Sequence, residues 1–348
     1  MRTLKLIGKI SGVTLCIIVA CICVLILIYR NQIATIRSVR QIDEYPIYTM
    51  DYKGTYWFDE YVKSDAGSSD EEIISFLENK LSNGLIKNAE DGEKRNNAMC
   101  TCFVCRNENG DILYCRNLEQ KYMCPSVVVT TDAGKYKTIG TSFLIETPEE
   151  ASKLIKNIAM LGEPYTTADG MNEAGLAISL LSVPYAEMPV HEGAPKLSTE
   201  QVCRLILDEA GSVDEAVALF DTFNLDASPY ESLSACHFLI ADKSGRAIVV
   251  ELHDGKVDVV ESDKDYMMVT NYYLNDEISS GTGQARYKYV ERILEENDGV
   301  MTVDEALETL ATVKDPYIHA EWSTVYNLTT GEMYIMPKGQ IDHVHKVR

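Results

Sequence analysis

"MCTCFVCRNENGDILYCRNLE", Met99 to Glu119, decides how the rest of the chain is read. "CTCFVCR" reads as a strand, "NENGD" as a turn and "ILYCRN" as the returning strand, because Asn, Gly and Asp supply turn geometry between apolar runs. Four cysteines sit in this hairpin, at 100, 102, 105 and 115, and Cys124 follows. The spacing of Cys102, Cys105, Cys115 and Cys124 admits a zinc site, although the pairs are not both C-x2-C and a hairpin runs through the middle. A disulfide of undetermined connectivity is a second reading. Small buried side chains in strands are a third. None of the three accounts for Cys100, which stands where the polar stretch Lys87 to Ala98 ends. An exposed polar stretch is where a chain is open to cutting.

The chain has 348 residues, room for one large domain or two smaller ones. Its 53 acidic and 32 basic residues give a formal charge of −21, which repels a phosphate backbone and excludes nucleic acid as a partner. The N-terminus departs from this composition. Ile10 to Tyr29 is 20 residues without a charge, enough for a helix of about 30 Å, the thickness of a hydrocarbon core. Arg2, Lys5 and Lys9 precede it; Arg30, Arg37 and Arg40 follow. A balanced flank does not orient the span. The expectation is a single-pass signal anchor through residues 10–29 with the catalytic domain extracellular. "IVAC", Ile18 to Cys21, offers a lipoprotein-type box or cleaved signal as the alternative. Outside the apolar run seven cysteines remain, an odd number that leaves at least one thiol unpaired within the chain.

Further along, "SDAGSSDEEIISFLENKL" carries a helix signal, with Ser69 or Asp70 as cap. "ETPEEASKLIKNIAML" is a helix with Thr147 as its expected cap. "LSTEQVCRLILDEA" and "GSVDEAVALFDTF" are helices with a serine at each start. The stretch Ala235 to Glu261 reads as three strands, "YMMVTN" as another, Gly283 to Asn297 and Thr302 to Val313 as helices, and "STVYNLTTGEMYIM" as a closing hairpin. Groups of strands separated by groups of helices predict α+β layers of stacked sheets and flanking helices. The expected organisation is an anchor over 1–30, a connector or propeptide with a short helix over 31–99, and one domain over 100–348.

The opening stretch resembles the start of the choloylglycine hydrolases and penicillin V acylases, linear amide hydrolases of the N-terminal-nucleophile class. "ADGMNEAGLAISLLSVP", "CHFLIADKSGRAIVVE", "VTN", "QARYKYVERIL" and "WSTVYNLTTGEMYI" resemble further segments of that family in the expected order, over roughly residues 99–338. The resemblance implies a four-layer αββα fold and a cysteine that becomes the first residue of the mature chain. It implies Cys100 as nucleophile, Arg116 as the cation beside it, Asn271 as oxyanion donor and Arg286 as part of the charge network. A nearby cation lowers a thiol pKa, the expected service of Arg116. Two positions depart from the pattern. Glu119 stands where the family has Asp, and Ser182 where it has a second site Asn. Only 14 residues separate Asn271 from Arg286, too few for the loop that joins the bile-salt enzymes into tetramers, so that assembly is not implied.

Asn172 and Glu173 are expected to set a turn, Asp169 and Gly170 to shape the approach to the site, and His237 to be a sheet histidine. No metal or organic cofactor is implied. The expected function is hydrolysis of a small non-peptide amide, such as a bile salt, a penicillin V-like amide or an acyl-homoserine lactone. Two rivals stand beside it. One is a papain-like hydrolase pairing an internal cysteine with His237. The other is a catalytically silent membrane-anchored binding or sensing module, favoured by Glu119 and Ser182.

Overall fold

The computed structural model describes residues 2–64, 69–82, 99–120, 125–145, 147, 151–226, 235–275, 278, 280–314 and 318–348. Ahead of Cys100 run α1 (Arg2–Ile28), α2 (Arg30–Ser38), β1 (Arg40–Gln41), β2 (Ile47–Asp51), α3 (Phe58–Ser64) and α4 (Asp70–Ser82). Then come β3 (Met99–Arg106), β4 (Ile112–Gln120), β5 (Ser126–Thr131), β6 (Thr138–Phe143), α5 (Lys153–Met160), β7 (Thr167–Asn172) and β8 (Leu176–Ser182). The middle holds β9 (Lys196–Leu197), α6 (Thr199–Glu209), α7 (Val213–Leu219), β10 (Asn224–Leu225), β11 (Cys236–Asp242), β12 (Ala247–His253) and β13 (Lys256–Glu261). The last part is β14 (Met267–Val269), β15 (Asn271–Tyr272), β16 (Gly281–Thr282), α8 (Gln284–Glu296), α9 (Val303–Thr312), β17 (His319–Asn327), β18 (Met333–Pro337) and β19 (His345–Lys346).

Two sheets form a mixed α+β sandwich. One has nine strands in the order β1-β2-β5-β6-β7-β8-β11-β12-β13, the other six in the order β14-β3-β4-β17-β18-β19. The hairpin expected over 100–117 is present, antiparallel, with Cys102 opposite Arg116. Alternation along β3 sends successive side chains to opposite faces. Cys100, Cys102 and Val104 join the core shared with β8, β11 and α6, through Leu180, Phe238 and Ile206. Phe103 and Cys105 join Leu113 and Cys115 on the other face, against Val290 and Leu294 of α8 and Leu307 of α9. Helices therefore lie against both sheets.

This alternation decides the cysteine question among the described residues. Cys102 faces one core while Cys105 and Cys115 face the other, so the three do not converge on one ion. Every described cysteine is a free thiol. Cys124, with the connector residues 83–98, lies outside the described residues.

The caps follow the expected chemistry at Ser198 and Ser212, each accepting from the backbone N–H three residues on. Ser69 and Glu72 cap α4 reciprocally. The expected cap Thr147 is corrected. Helix α5 starts at Lys153, and Ser152 accepts from the Ile155 N–H instead.

The segment before the hairpin is more than a connector. β2 pairs in parallel with β5, Ile47 opposite Ser126, and so extends the nine-stranded sheet. Met50, Tyr52, Tyr56, Phe58, Tyr61 and Leu77 build a second core against Val127, Ile145, Ile158 and Tyr165. Polar clasps accompany it. Asp43 accepts from His345 Nε2 at 2.7 Å and His343 Nδ1 at 3.1 Å. Tyr45 donates to Glu321, and Tyr56 to Asp208. In α1 the apolar side chains from Leu15 to Ile28 are exposed, Leu27 by 65%. Among the described residues no single helix is long and apolar enough to cross a membrane, but Thr14–Ile28 and Arg30–Ser38 together pass that test across a 66° bend.

Candidate active site

Cys100 enters the site as the second residue of β3 and is wholly buried. Its backbone is gripped from both sides. The Cys100 N–H donates to Asn271 Oδ1 at 2.7 Å, and Arg286 Nη1 donates to the Cys100 carbonyl at 2.5 Å and to Thr101 Oγ1 at 2.9 Å. Arg286 Nη2 also donates to Asn271 Oδ1, at 2.8 Å. A guanidinium only donates, so this contact fixes which end of the Asn271 amide is oxygen. Asn271 Nδ2 is therefore the atom that faces Ser182, donating to its carbonyl at 2.8 Å.

Local backbone explains how Arg286 gets so close. Gly283 precedes α8 with φ +97, and a Cβ there would lie 2.7 Å from Thr270 Oγ1 and 2.9 Å from Arg286 Nη2. Only glycine takes that conformation and leaves that space. On the other side of the segment, His237 Nε2 donates to the Thr270 carbonyl at 2.7 Å. Glu251 accepts from the N–H groups of Leu274 and Asn275 at 2.6 and 3.2 Å. Asn271 thus sits on a short stretch held at both ends.

Arg116, also wholly buried, points Nη2 at Cys100 Sγ at 3.5 Å. Its Nη1 donates to the Ala168 carbonyl at 2.7 Å and to Asp169 at 3.1 Å. Asp169 receives further bonds from Trp322 Nε1 and from Tyr326. A buried cation needs such a counter-ion. Asp169, expected only to shape the approach, is instead the anion under Arg116. Its signal was its own strand, where a charged residue sits inside a wholly buried run.

The thiol itself does not follow the simple expectation. Burial pushes the Cys100 pKa up, Arg116 pulls it down, Glu119 pushes it up again and Arg286 pulls it down; the outcome is raised. With Cys100 inside the chain, its buried side chain is a neutral thiol. The cation is present, but desolvation outweighs it.

Glu119 is wholly buried opposite Met99 in the hairpin, with its carboxylate 3.5 Å from Arg286 Nη1. Ser182 ends β8, and its Oγ, shielded from solvent, has no hydrogen-bond partner among the described residues. The structure therefore brings together all six residues singled out in the sequence. His237 is not among them: Nε2 is engaged by Thr270 and Nδ1 faces Glu251 at 3.5 Å. That disposition gives a Cys–His pair no support. Asn172 makes the expected turn, its Oδ1 accepting from the Ala174 and Leu176 N–H groups. A cleft of about 580 Å³ runs beside the site along Tyr266, Tyr272, Tyr273, Gln284 and Tyr287. Tyr272 adjoins Asn271 in the chain.

Comparison with known proteins places the chain in a family. The family profile described as acyl-coenzyme A:6-aminopenicillanic acid acyl-transferase matches residues 124–331. Over 114 residues, 30% of either protein, the chain is 33% identical to penicillin V acylase of Pectobacterium atrosepticum. Over 177 residues, 47% of this chain and 51% of that one, it is 26% identical to the bile salt hydrolase/transferase of Clostridium perfringens. The matched stretches thus span 30% and 51% of these relatives' own length. A crystal structure of a variant of the conjugated bile acid hydrolase from Clostridium perfringens superposes with a TM-score of 0.51 at 16% identity, covering 72% of this chain and 92% of that one. At that identity the likeness is one of fold.

Proposed function

The chain belongs to the acyl-coenzyme A:6-aminopenicillanic acid acyl-transferase family, and from that premise we propose that it is a cysteine-nucleophile hydrolase of small non-peptide linear amides. The observation that carries the proposal is the double grip on Cys100. Asn271 and Arg286 hold the amide and carbonyl on either side of its Cα, while Arg116 stands 3.5 Å from its sulfur.

The residue is at present an internal one. Its nitrogen is an amide with no basic lone pair, so it does not accept the thiol proton. Hydrolysis of the Met99–Cys100 bond adds water and frees an α-amine at Cys100. Glu119, across the hairpin from Met99, is placed to hold that amine as an ammonium or to take its proton. The thiol then passes its proton to the amine, and the thiolate attacks the substrate carbonyl. The oxyanion that forms meets two candidate donors, Asn271 Nδ2 and Ser182 Oγ. Collapse expels the amine with a proton from the α-ammonium, and water releases the acid from the thioester. Bile salts and penicillin V-like amides are the substrate classes that the relatives' names suggest, and an acyl-homoserine lactone is a further small amide of the same type.

Two further readings go with it. The four-layer αββα arrangement of N-terminal-nucleophile enzymes fits helices on both sheets. The exposed apolar side chains of α1 suit a membrane anchor, with the domain outside. Five buried aromatics before the cut, Tyr45, Tyr52, Tyr56, Phe58 and Tyr61, each worth roughly 1.5–3 kcal/mol, rival the ~4–15 kcal/mol cost of holding two free chains together. The anchor therefore stays with the domain after cutting.

Intact mass and N-terminal sequencing, for wild type and Cys100→Ser, test the proposal. A wild-type fragment beginning at Cys100 is expected, together with amide hydrolysis that Cys100→Ser reduces by at least ~10³-fold. A wild-type chain that keeps Met99 and resists thiol-reactive acyl probes would favour the silent binding module.

A further inference from the structure

The β12–β13 hairpin places two carboxylates face to face. Glu251 and Asp258 are direct cross-strand partners, and Glu251 is wholly buried. Like charges in that register repel. His253, two residues on from Glu251, stands beside them, with Nε2 3.3 Å from Asp258 Oδ2. One donor atom from each of Glu251, His253 and Asp258 lies within 4.8 Å of the other two. Among the described residues no lysine or arginine forms an ion pair with either carboxylate; the basic side chains beside them are His237 and His253.

The surroundings have the form of an outer shell. Asp254 faces His253 Nδ1 at 3.5 Å and Asp258 faces Nε2 at 3.3 Å, so carboxylates hold the ring from both sides. Metal-binding histidines are oriented by a carboxylate in this way. The Leu274 and Asn275 N–H groups orient Glu251, and Asn275 Nδ2 orients Asp258 at 2.9 Å. An independent sign comes from His237. This wholly buried side chain turns an Nδ1 without a hydrogen-bond partner toward the same Glu251 carboxylate, at 3.5 Å. Its Nε2 donates to the Thr270 carbonyl, so Nδ1 is the ring atom turned toward the carboxylate. A positive charge between Glu251 and Asp258 relieves the repulsion of that cross-strand pair. Asp258, with a side chain 39% exposed, gives the way in from solvent.

We propose that Glu251, His253 and Asp258 bind one divalent cation of the zinc type, beside the segment that carries Asn271. One imidazole with two carboxylates suits zinc or a neighbouring transition metal; calcium and magnesium take all-oxygen sets. The ion lies outside the acyl-transfer chemistry. It ties the hairpin to residues 274 and 275, and so stiffens the stretch that presents Asn271.

The test uses untagged full-length protein in detergent, stripped with EDTA, dialysed and titrated with zinc chloride. Zinc per chain is read by elemental analysis and Tm by scanning calorimetry. One retained zinc per chain and a saturable rise in Tm are expected. Asp258→Asn and His253→Gln are expected to lose the retained zinc while keeping the metal-free Tm. Asp254→Asn is expected to weaken binding by about 10- to 100-fold. No retained zinc in wild type would overturn the proposal, since the cluster would then be satisfied by its own hydrogen bonds. Zinc retained equally by both ligand variants would also overturn it, placing the ion on thiols. Neither readout needs a substrate, so the outcome is independent of the amidase reading.

Discussion

The two sides of the Met99–Cys100 bond are built differently. After it, β3 and β4 hold Cys100, Arg116 and Glu119 in one hairpin, so their positions follow from local alternation. Before it, residues 40–82 reach their partners far along the chain: β2 finds β5, Tyr56 finds Asp208, and Asp43 finds His343 and His345. On the proposed reading, one side carries the chemistry and the other carries the attachment. Substitutions on the first are expected to stop catalysis, and substitutions on the second to release the anchor.

The largest effect is expected at Arg116. Arg116→Ala leaves Asp169 buried without its cation, a loss of about 3–5 kcal/mol in unfolding free energy by denaturant titration. If that variant unfolds at the wild-type midpoint, Arg116 does not anchor the site. Next comes Asn271→Ala, expected to lower kcat by about 10²–10³-fold with a native Tm, and to slow appearance of the fragment that begins at Cys100. Normal cutting with normal turnover would leave Ser182 as the working donor.

On the other side, Tyr56→Phe removes the hydroxyl that Asp208 accepts and leaves a buried, Arg204-paired carboxylate one bond short. The expected cost is about 1–3 kcal/mol, read as loss of the anchor fragment from the processed enzyme on gel filtration, with unchanged kcat. Equal loss of kcat would erase the contrast between the two sides.

The smallest effect is a pH dependence of the Asp43 clasp. The hydrogen bond to Asp43 raises the His343 pKa. A raised histidine stabilises below its unfolded value, about 6.5, and that contribution fades as pH rises through the folded value. Burial pushes Asp43 up, but the bonds from His345 and His343 pull it down further, so it ends lowered. Its contribution is present above about pH 4 and fades as pH falls through the folded value. The anchor fragment is therefore expected to be held best between those limits and to wash off more readily at pH 8 than at pH 6. His343→Gln together with His345→Gln should flatten that difference.

Legibility followed the same divide. The hairpin, the serine caps and the convergence of the six singled-out residues were readable because each rests on short-range pattern or on an ordered series of motifs. The strand Ile47–Asp51 was not, since its short run gains meaning only from a parallel neighbour. The Ser152 cap lost to Thr147 in the sequence because Glu149 and Glu150 follow Thr147, whereas no acid follows Ser152 in the first turn. Where Asn271 points its amide could not be read at all; a guanidinium from α8 decides it. The raised Cys100 thiol was missed because a sequence shows the cation but not the dryness around it.

The grip on Cys100 also sets an order in time. Asn271 and Arg286 leave the ribosome long after the peptide they hold, and β17, which lines up beside β4, leaves later still. A chain stalled before residue 271 has a nucleophile but no clamp. On the proposed reading, activation by cutting at Cys100 doubles as proofreading of synthesis: only a chain that has reached Arg286 assembles the grip, and a shorter one stays inert.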